Sequence, residues 1–344
     1  MIHGSGERGV RIYSHRICLF LITCAAAILS GCTTSHVSQN SHWDIDNPYA
    51  NVDWSRYLKV KANFHTHTTR AGGRLSPAEA VKEYDRLGYG VLSITDHGSV
   101  TWPWDSYMHN PEQLGMVAVQ GSELSSSHDL GVYFSDVSGK STLSDTLAGV
   151  RSQNGLGVMF HPGRYNWSTQ QYVDLYSEWH ELVGMEVFNQ GDRYRGDRKT
   201  WDALLSVLMP QGRPVWGFSN DDMHKPGHVG RNWNVLLLPE LSAETVRTAI
   251  EQGAFFFVYA PKGHKGAMPP VVKAIEVDAQ KGIIRITATD YARIEWISAG
   301  RIVHRGEMMD LAEKSNVHGY VRIVLHAKDG GSLIGTQPMR IQPR

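Results

Sequence analysis

The stretch Val60-Lys-Ala-Asn-Phe-His65-Thr-His67-Thr68 decides how the rest of the chain reads. It is a strand that runs into a loop. His65 and His67 stand two apart, so on an extended strand both rings face the same side. Two imidazoles at a strand end make half of a transition-metal site. Alone they are more often two ordinary core or surface histidines. What separates the readings is repetition. Gly90–Ile94 ends in Thr95-Asp96-His97, and Met116–Gln120 ends in Gly121-Ser122-Glu123, with His128 just beyond. Gly157–Phe160 ends in His161-Pro162-Gly163, and Gly184–Phe188 carries Glu186 and ends at Asn189. Val215–Ser219 ends in Asn220-Asp221-Asp222-Met223-His224.

Helices are expected between these strands. Ser76-Pro77-Ala78-Glu79 opens one with an N-cap, a proline at the first position and a capping-box glutamate, and Gly88 stops it. Others are expected near 141–153, 199–208 and 242–252. Strand and helix alternate over short connections, which predicts an α/β body with mostly parallel strands. In α/β barrels the C-terminal rim of the strands is where active sites are built. From about Lys265 onward the runs are short, alternating and β-rich, with one short helical stretch at Met308–Lys314. This predicts a small antiparallel β domain, sandwich-like, with no chemistry of its own. His304, His318 and His326 read as surface or packing residues.

The chain has 344 residues, with 34 Lys+Arg against 34 Asp+Glu. Neutrality gives no electrostatic footprint for a nucleic acid. The three cysteines, Cys18, Cys24 and Cys32, all lie at the N-terminus, so the body holds neither a disulfide framework nor a thiolate metal site. Arg8, Arg11 and Arg16 precede an apolar run, Ile17–Leu29, that is short for a membrane span. Leu29-Ser30-Gly31-Cys32 follows, and it resembles the lipobox of bacterial lipoproteins. The resemblance implies a signal peptide over 1–31, lipid on Cys32 and a membrane anchor. Thr33 in place of aspartate implies outer-membrane sorting, facing periplasm or surface. Residues 32–50 read as a tether, 51–264 as the barrel and 265–344 as the β domain.

The ordered set His65/His67, Asp96/His97, Glu123, His161-Pro and Asp222-x-His224 resembles the polymerase-and-histidinol-phosphatase (PHP) metallohydrolases. His128 matches a further family histidine, and Gly-Met-Glu186-Val-Phe-Asn189 resembles a family strand. The resemblance covers roughly Asn63–Tyr259. It implies a distorted (β/α)7 barrel followed by a small all-β domain, as in the branch that includes carbamate-hydrolysing members. By resemblance, His65, His67, Glu123 and Asp222 hold one divalent ion, and Glu123, His128 and His161 a second, with Glu123 shared. Imidazoles and carboxylates without thiolates suit manganese, zinc or iron. A third family position uses the counterparts of His97 and His224 with an acidic residue in the loop after His-x-His. Here that residue is Gly72, so the third position is weakened. His97 and His224 then act as weak ligands or as acid and phosphate-binding groups, and Asp96 orients a ligand histidine.

Asp221 reads as a turn residue, and Glu186 and Asn189 as packing or supporting groups. Arg70, Arg74, Arg164 and Arg195 are candidates for a substrate phosphate, each against the plainer reading of a solvated arginine. The expected function is a metal-dependent phosphoesterase at the cell envelope acting on a small phosphorylated molecule, without a nucleic-acid partner. A carbamate, ester or amide hydrolase at the same centre is the alternative, and a non-catalytic metal- or glycan-binding lipoprotein is the alternative outside enzymes.

Overall fold

The computed structural model describes residues 43–107 and 111–344. Cys32, the lipobox and most of the tether lie outside them. In chain order the strands and helices are β1 (Trp43–Asp46), β2 (Leu58–Asn63), α1 (Pro77–Arg86), β3 (Tyr89–Ile94), β4 (Val117–Ser125) and β5 (Asp129–Tyr133). Then come α2 (Leu143–Ser152), β6 (Leu156–Met159), α3 (Thr169–Glu178), β7 (Leu182–Asn189), α4 (Asp197–Leu208) and β8 (Trp216–Asn220). β9 (Asn232–Leu238), α5 (Ala243–Gln252) and β10 (Phe255–Tyr259) follow. The C-terminal region is β11 (Val271–Asp278), β12 (Ile283–Thr289), β13 (Tyr291–Ser298), β14 (Arg301–Arg305), β15 (Met308–Asp310), β16 (Tyr320–Ala327), β17 (Leu333–Thr336) and β18 (Met339–Pro343).

Local chemistry explains the helix ends. Ser76 accepts from the Glu79 amide while the Glu79 carboxylate accepts from Ser76, so two orphan donors of α1 are satisfied. α5 starts at Ser242 and stops at Gly253, whose φ of 72° suits glycine. For α3 the sequence reading gives only a helical stretch around His180, without bounds. Its signal is the Ser168–Gln171 capping box, and it buries Tyr172 and Tyr176. His180 lies just past its end and is exposed.

Strands β2 to β8 form the barrel wall in sequence order. β2, β3 and β4 are parallel, as are β6, β7 and β8. Between them β5 runs antiparallel to both neighbours. Only residues 126–128 join β4 to β5, far too few for a parallel crossover. The wall closes where the extension of β2 meets the chain after β8, through a parallel bridge between Thr66 and Met223. Below that bridge the antiparallel β9 lies along β2, and asparagine amides replace the missing ladder. Asn234 bonds both the carbonyl and the amide of Ser219, at 3.0 and 3.1 Å, and Asn220 accepts from the Phe64 amide at 3.1 Å. Buried backbone groups left without partners would otherwise carry a penalty.

β9 and β10 lead the sheet out of the barrel to β17, β16, β18 and β1. A separate sheet of β11, β12 and β15 stands apart. Met308–Asp310 is a strand rather than the expected helical start, and only Leu311–Glu313 makes a 3-10 turn. The mixed α/β body with an all-β region therefore matches the expected class. At the junction, Arg322 on β16 makes two bonds to Asp202 on α4, at 2.8 and 2.7 Å, and Tyr320 donates to the same carboxylate at 2.7 Å. Both members of the pair are buried. Arg322→Met is expected to lower the unfolding free energy by about 3–5 kcal/mol, because it leaves an uncompensated buried charge. Urea denaturation checks this; a loss below about 1 kcal/mol would show the pair to be dispensable.

Candidate metal centre

The end of β2 is held on both sides. Thr95 donates its amide to the Thr66 carbonyl at 2.8 Å, and the His67 amide donates to the Met223 carbonyl at 2.9 Å. Phe160 stacks on the His65 ring at 3.7 Å between centroids. Asp96 fixes the chain beyond the histidines: Thr68 donates to it through its amide at 2.6 Å and its hydroxyl at 2.7 Å, and Thr101 through its hydroxyl at 2.6 Å. The expected role of Asp96, orienting a ligand histidine, is therefore corrected. Both its oxygens are occupied by the loop that follows His67.

Glu123 is the centre of the cluster. It was expected at a strand end, but β4 continues past it to Ser125. Its Oε2 lies 3.2 Å from His65 Nε2, 3.1 Å from His67 Nε2 and 3.0 Å from His97 Nδ1. Its Oε1 lies 3.5 Å from His161 Nε2. Asp222 approaches from the opposite wall, with Oδ1 3.4 Å from His65 Nε2, 3.2 Å from His67 Nε2 and 3.2 Å from His224 Nδ1. His161 and Asp222 have φ of 29° and 45°, a left-handed conformation that side chains other than glycine rarely adopt. Such strain persists where surrounding bonds impose it. For His161 one such bond is from its amide to Glu186 Oε2, at 2.9 Å.

Glu186 also faces His65 Nδ1 with Oε1 at 2.9 Å, and its two oxygens receive the amides of Asn220 and Asn189, each at 2.9 Å. A carboxylate only accepts, so His65 Nδ1 carries a proton and Nε2 is the atom turned to Glu123 and Asp222. This carboxylate–histidine arrangement is what orients metal-binding imidazoles. Asp221 is more than a turn residue. Buried, it accepts from the amides of Gly230, Arg231 and Asn232 at 2.8 to 2.9 Å, and so fixes the loop that presents His224. Burial pushes its carboxyl up to about 6 against those donors.

His128 is not brought into the cluster. Its Nδ1 donates to the Asp129 carbonyl at 2.9 Å, and its Nε2 accepts from the Tyr172 hydroxyl at 2.9 Å. Burial pushes it down to about 4, so it is neutral with its lone pair engaged. Asp129, absent from the sequence reading, lies beside His161 instead, with Oδ2 3.7 Å from Nδ1. Gly72 sits where expected, against His97 and His224: a Cβ there would be 3.0 Å from His97 Cδ2 and 3.7 Å from His224 Cδ2. Its φ of 102° also disfavours any side chain. Arg164 bonds Asp129 at 2.9 Å, Arg70 bonds Thr101 at 3.1 Å, and the exposed Arg195 lies 3.8 Å from Asp192. Arg74 donates its backbone amide to the His224 carbonyl at 2.9 Å. His326 contacts Glu295 at 2.9 Å, and His304 the Met308 carbonyl at 2.7 Å.

The donor set fits divalent ions. His65, His67 and Glu123 bring ligand atoms within 4.8 Å of one another, as do His65, His161 and Asp222, and His67, His97 and His224. Nδ1 of His67 and Nδ1 of His161 are buried without a hydrogen-bond partner, a state that is costly unless something else binds there. Burial disfavours charge on His65, but Glu186, Asp222 and Glu123 hold it well above the ordinary imidazole range. Burial likewise opposes charge on His67, which Asp222 and Glu123 nevertheless hold at about 9. Burial raises Glu123 and Asp222, yet the adjacent imidazoles, His65 first, keep both well below the carboxylate range. The cluster thus attracts positive charge, which protons or metal ions can supply.

No family model and no curated protein sequence matches this chain. Among solved structures, a two-domain protein from Bacteroides vulgatus containing a predicted PHP-like metal-dependent phosphoesterase is similar at 16% identity and a TM-score of 0.54, over 85% of this chain and 89% of that one. The two share a fold. An amidohydrolase from Chromobacterium violaceum with bound sulfate and no metal has a TM-score of 0.39 at 15% identity, over 48% of this chain and 88% of that one. A lesion-specific endonuclease from Pyrococcus furiosus has a TM-score of 0.41 at 12% identity, over 56% of each chain.

The charge pattern predicts how metal-free protein responds to pH. His67 titrates at about 9 folded against 6.5 for a free imidazole, and His65 is raised in the same direction. The contribution of His67 is full below about 6.5 and is lost as the pH climbs to about 9, and that of His65 is lost in the same direction as the pH rises. That of Glu123 and Asp222 is lost only in acid. Chelated protein should therefore show a falling Tm between pH 6.5 and 9, and metal binding at neutral pH should release protons. Calorimetry in buffers of different ionisation enthalpy measures the release; binding without it would contradict the assigned charge state.

Proposed function

We propose that the chain is a metal-dependent hydrolase, and that its substrate is a small phosphorylated molecule. The observation that carries the reading is the buried Glu123 carboxylate, faced by the imidazoles of His65, His67, His97 and His161, with Nδ1 of both His67 and His161 buried and unpartnered. His65, His67, Glu123 and Asp222 would hold one divalent ion, and Glu123 and His161 would contribute to a second. Bound there, such ions supply Lewis acidity, which lowers the pKa of a water and neutralises charge developing on a phosphoryl group.

The chain's own residues do the rest. Glu186 keeps His65 Nδ1 protonated and its Nε2 turned inward. Asp96 and Asp221 fix the two loops that bring His67 and His224 together. His97 and His224, with 43% and 32% of their side chains exposed, are placed to hydrogen-bond a substrate oxygen. The guanidinium of Arg164, 54% exposed and bonded to Asp129, adds a cation suited to a phosphate. With Gly72 offering no carboxylate, about two tightly held ions per chain are expected after dialysis, the number a two-metal template needs.

A hydrolysis screen of the purified chain with added manganese, zinc or iron, phosphate esters beside carbamates and esters, tests the reaction class. Phosphate release lowered by orders of magnitude in His65→Ala/Asp222→Ala, but near normal in His304→Ala, is the expected outcome. Turnover of carbamates alone would transfer the centre to carbonyl chemistry, and wild-type turnover by the folded double variant would rule the centre out.

The cell-envelope address rests on Leu29-Ser30-Gly31-Cys32. Cys32→Ser is expected to block lipid attachment and leave an unprocessed precursor. Normal cleavage with unchanged membrane fractionation would overturn the address.

A further inference from the structure

We propose that Asp129, and not His128, completes the second metal position with Glu123 and His161, which makes it a carboxylate-rich site for a hard divalent ion such as manganese. The inference rests on the metal-dependent reading above and adds a ligand and a selectivity to it.

The β4–β5 hairpin supplies the argument. Ser125 lies opposite Asp129 and Glu123 opposite Gly131. Opposed residues share a face, as do residues two apart on a strand. Asp129 is therefore on the Glu123 face, and His128, one residue earlier, points away to Tyr172. Gly131, directly across from Glu123, leaves room for the Phe160 ring, which a Cβ there would meet at 2.2 Å. One ligand atom each from Glu123, Asp129 and His161 lie within 4.8 Å of one another, and all three residues are buried. The independent sign of a missing partner is His161 Nδ1. It is buried, unbonded and 3.7 Å from Asp129 Oδ2. Arg164 at 2.9 Å and the Tyr165 hydroxyl both donate to that same oxygen. The site thus has two carboxylates and one imidazole. Oxygen donors favour manganese and magnesium, whereas imidazole-rich sets favour zinc and copper.

Metal content of the purified full chain after dialysis, with manganese affinity by calorimetry, tests this. Wild type and His128→Gln should retain about two ions, while Asp129→Asn should retain about one and bind the second at least about tenfold more weakly. The asparagine carbonyl can still accept from an imidazole N–H, so a residue that only positioned His161 would keep the second ion. Arg164→Met removes a half-exposed competing cation and should tighten manganese about two- to fivefold. Circular dichroism verifies folding. Two ions held by Asp129→Asn as tightly as by wild type, or no tightening in Arg164→Met, would overturn the assignment of Asp129 and leave the metal-dependent reading standing. No metal bound by wild type beyond that of Glu123→Gln would overturn both.

Discussion

One buried carboxylate organises this protein. Glu123 is 1% exposed and faces imidazole nitrogens from three different segments of the wall. A carboxylate removed from water needs compensating charge, and here His65, His67, His97 and His161 are brought to it from separate strand ends. The strained backbones of His161 and Asp222 point to the same demand. The segments that carry these side chains must hold them close to one another, against the geometry each would adopt alone.

The surrounding polar network meets that demand. Glu186 sits behind His65 and under the His161 amide, and Asn220 ties it to the Phe64 amide at the end of β2. Asn234 in turn bonds Asn220 at 3.0 Å and the backbone of β8. The asparagines that close the barrel are therefore the same ones that, through Glu186, orient His65 and His161. Closure and site geometry are coupled through buried amides, and a substitution such as Asn220→Ala acts on both at once.

Much of this was legible in the sequence because strand periodicity and strand ends are local signals. His-x-His on one face, Asp96-His97 and His161-Pro162 after apolar runs, and the Ser76–Glu79 box each announce themselves within a few residues. What was not legible depends on parity and partners. Whether His128 or Asp129 enters the site turns on one residue of register in a hairpin whose loop, Ser126–His128, carries no Asn-Gly or Asp-Gly marker. Asp96 looks like a ligand's partner by spacing, yet the hydroxyls of Thr68, 28 residues back, and of the nearby Thr101 claim it. Asp221 looks like a turn residue because the three amides it receives come from 230–232, ten residues on. The bounds of helix α3 were not legible because the residues it buries fully are two tyrosines, Tyr172 and Tyr176, rather than a stripe of aliphatic residues.

The central claim is that Glu123 is shared between metal positions, and anomalous diffraction from a crystal soaked in manganese tests it most directly. The account predicts two anomalous peaks about 3.5–4 Å apart, one on each side of the Glu123 carboxylate. A single peak remote from Glu123, or none at saturating manganese, would contradict it.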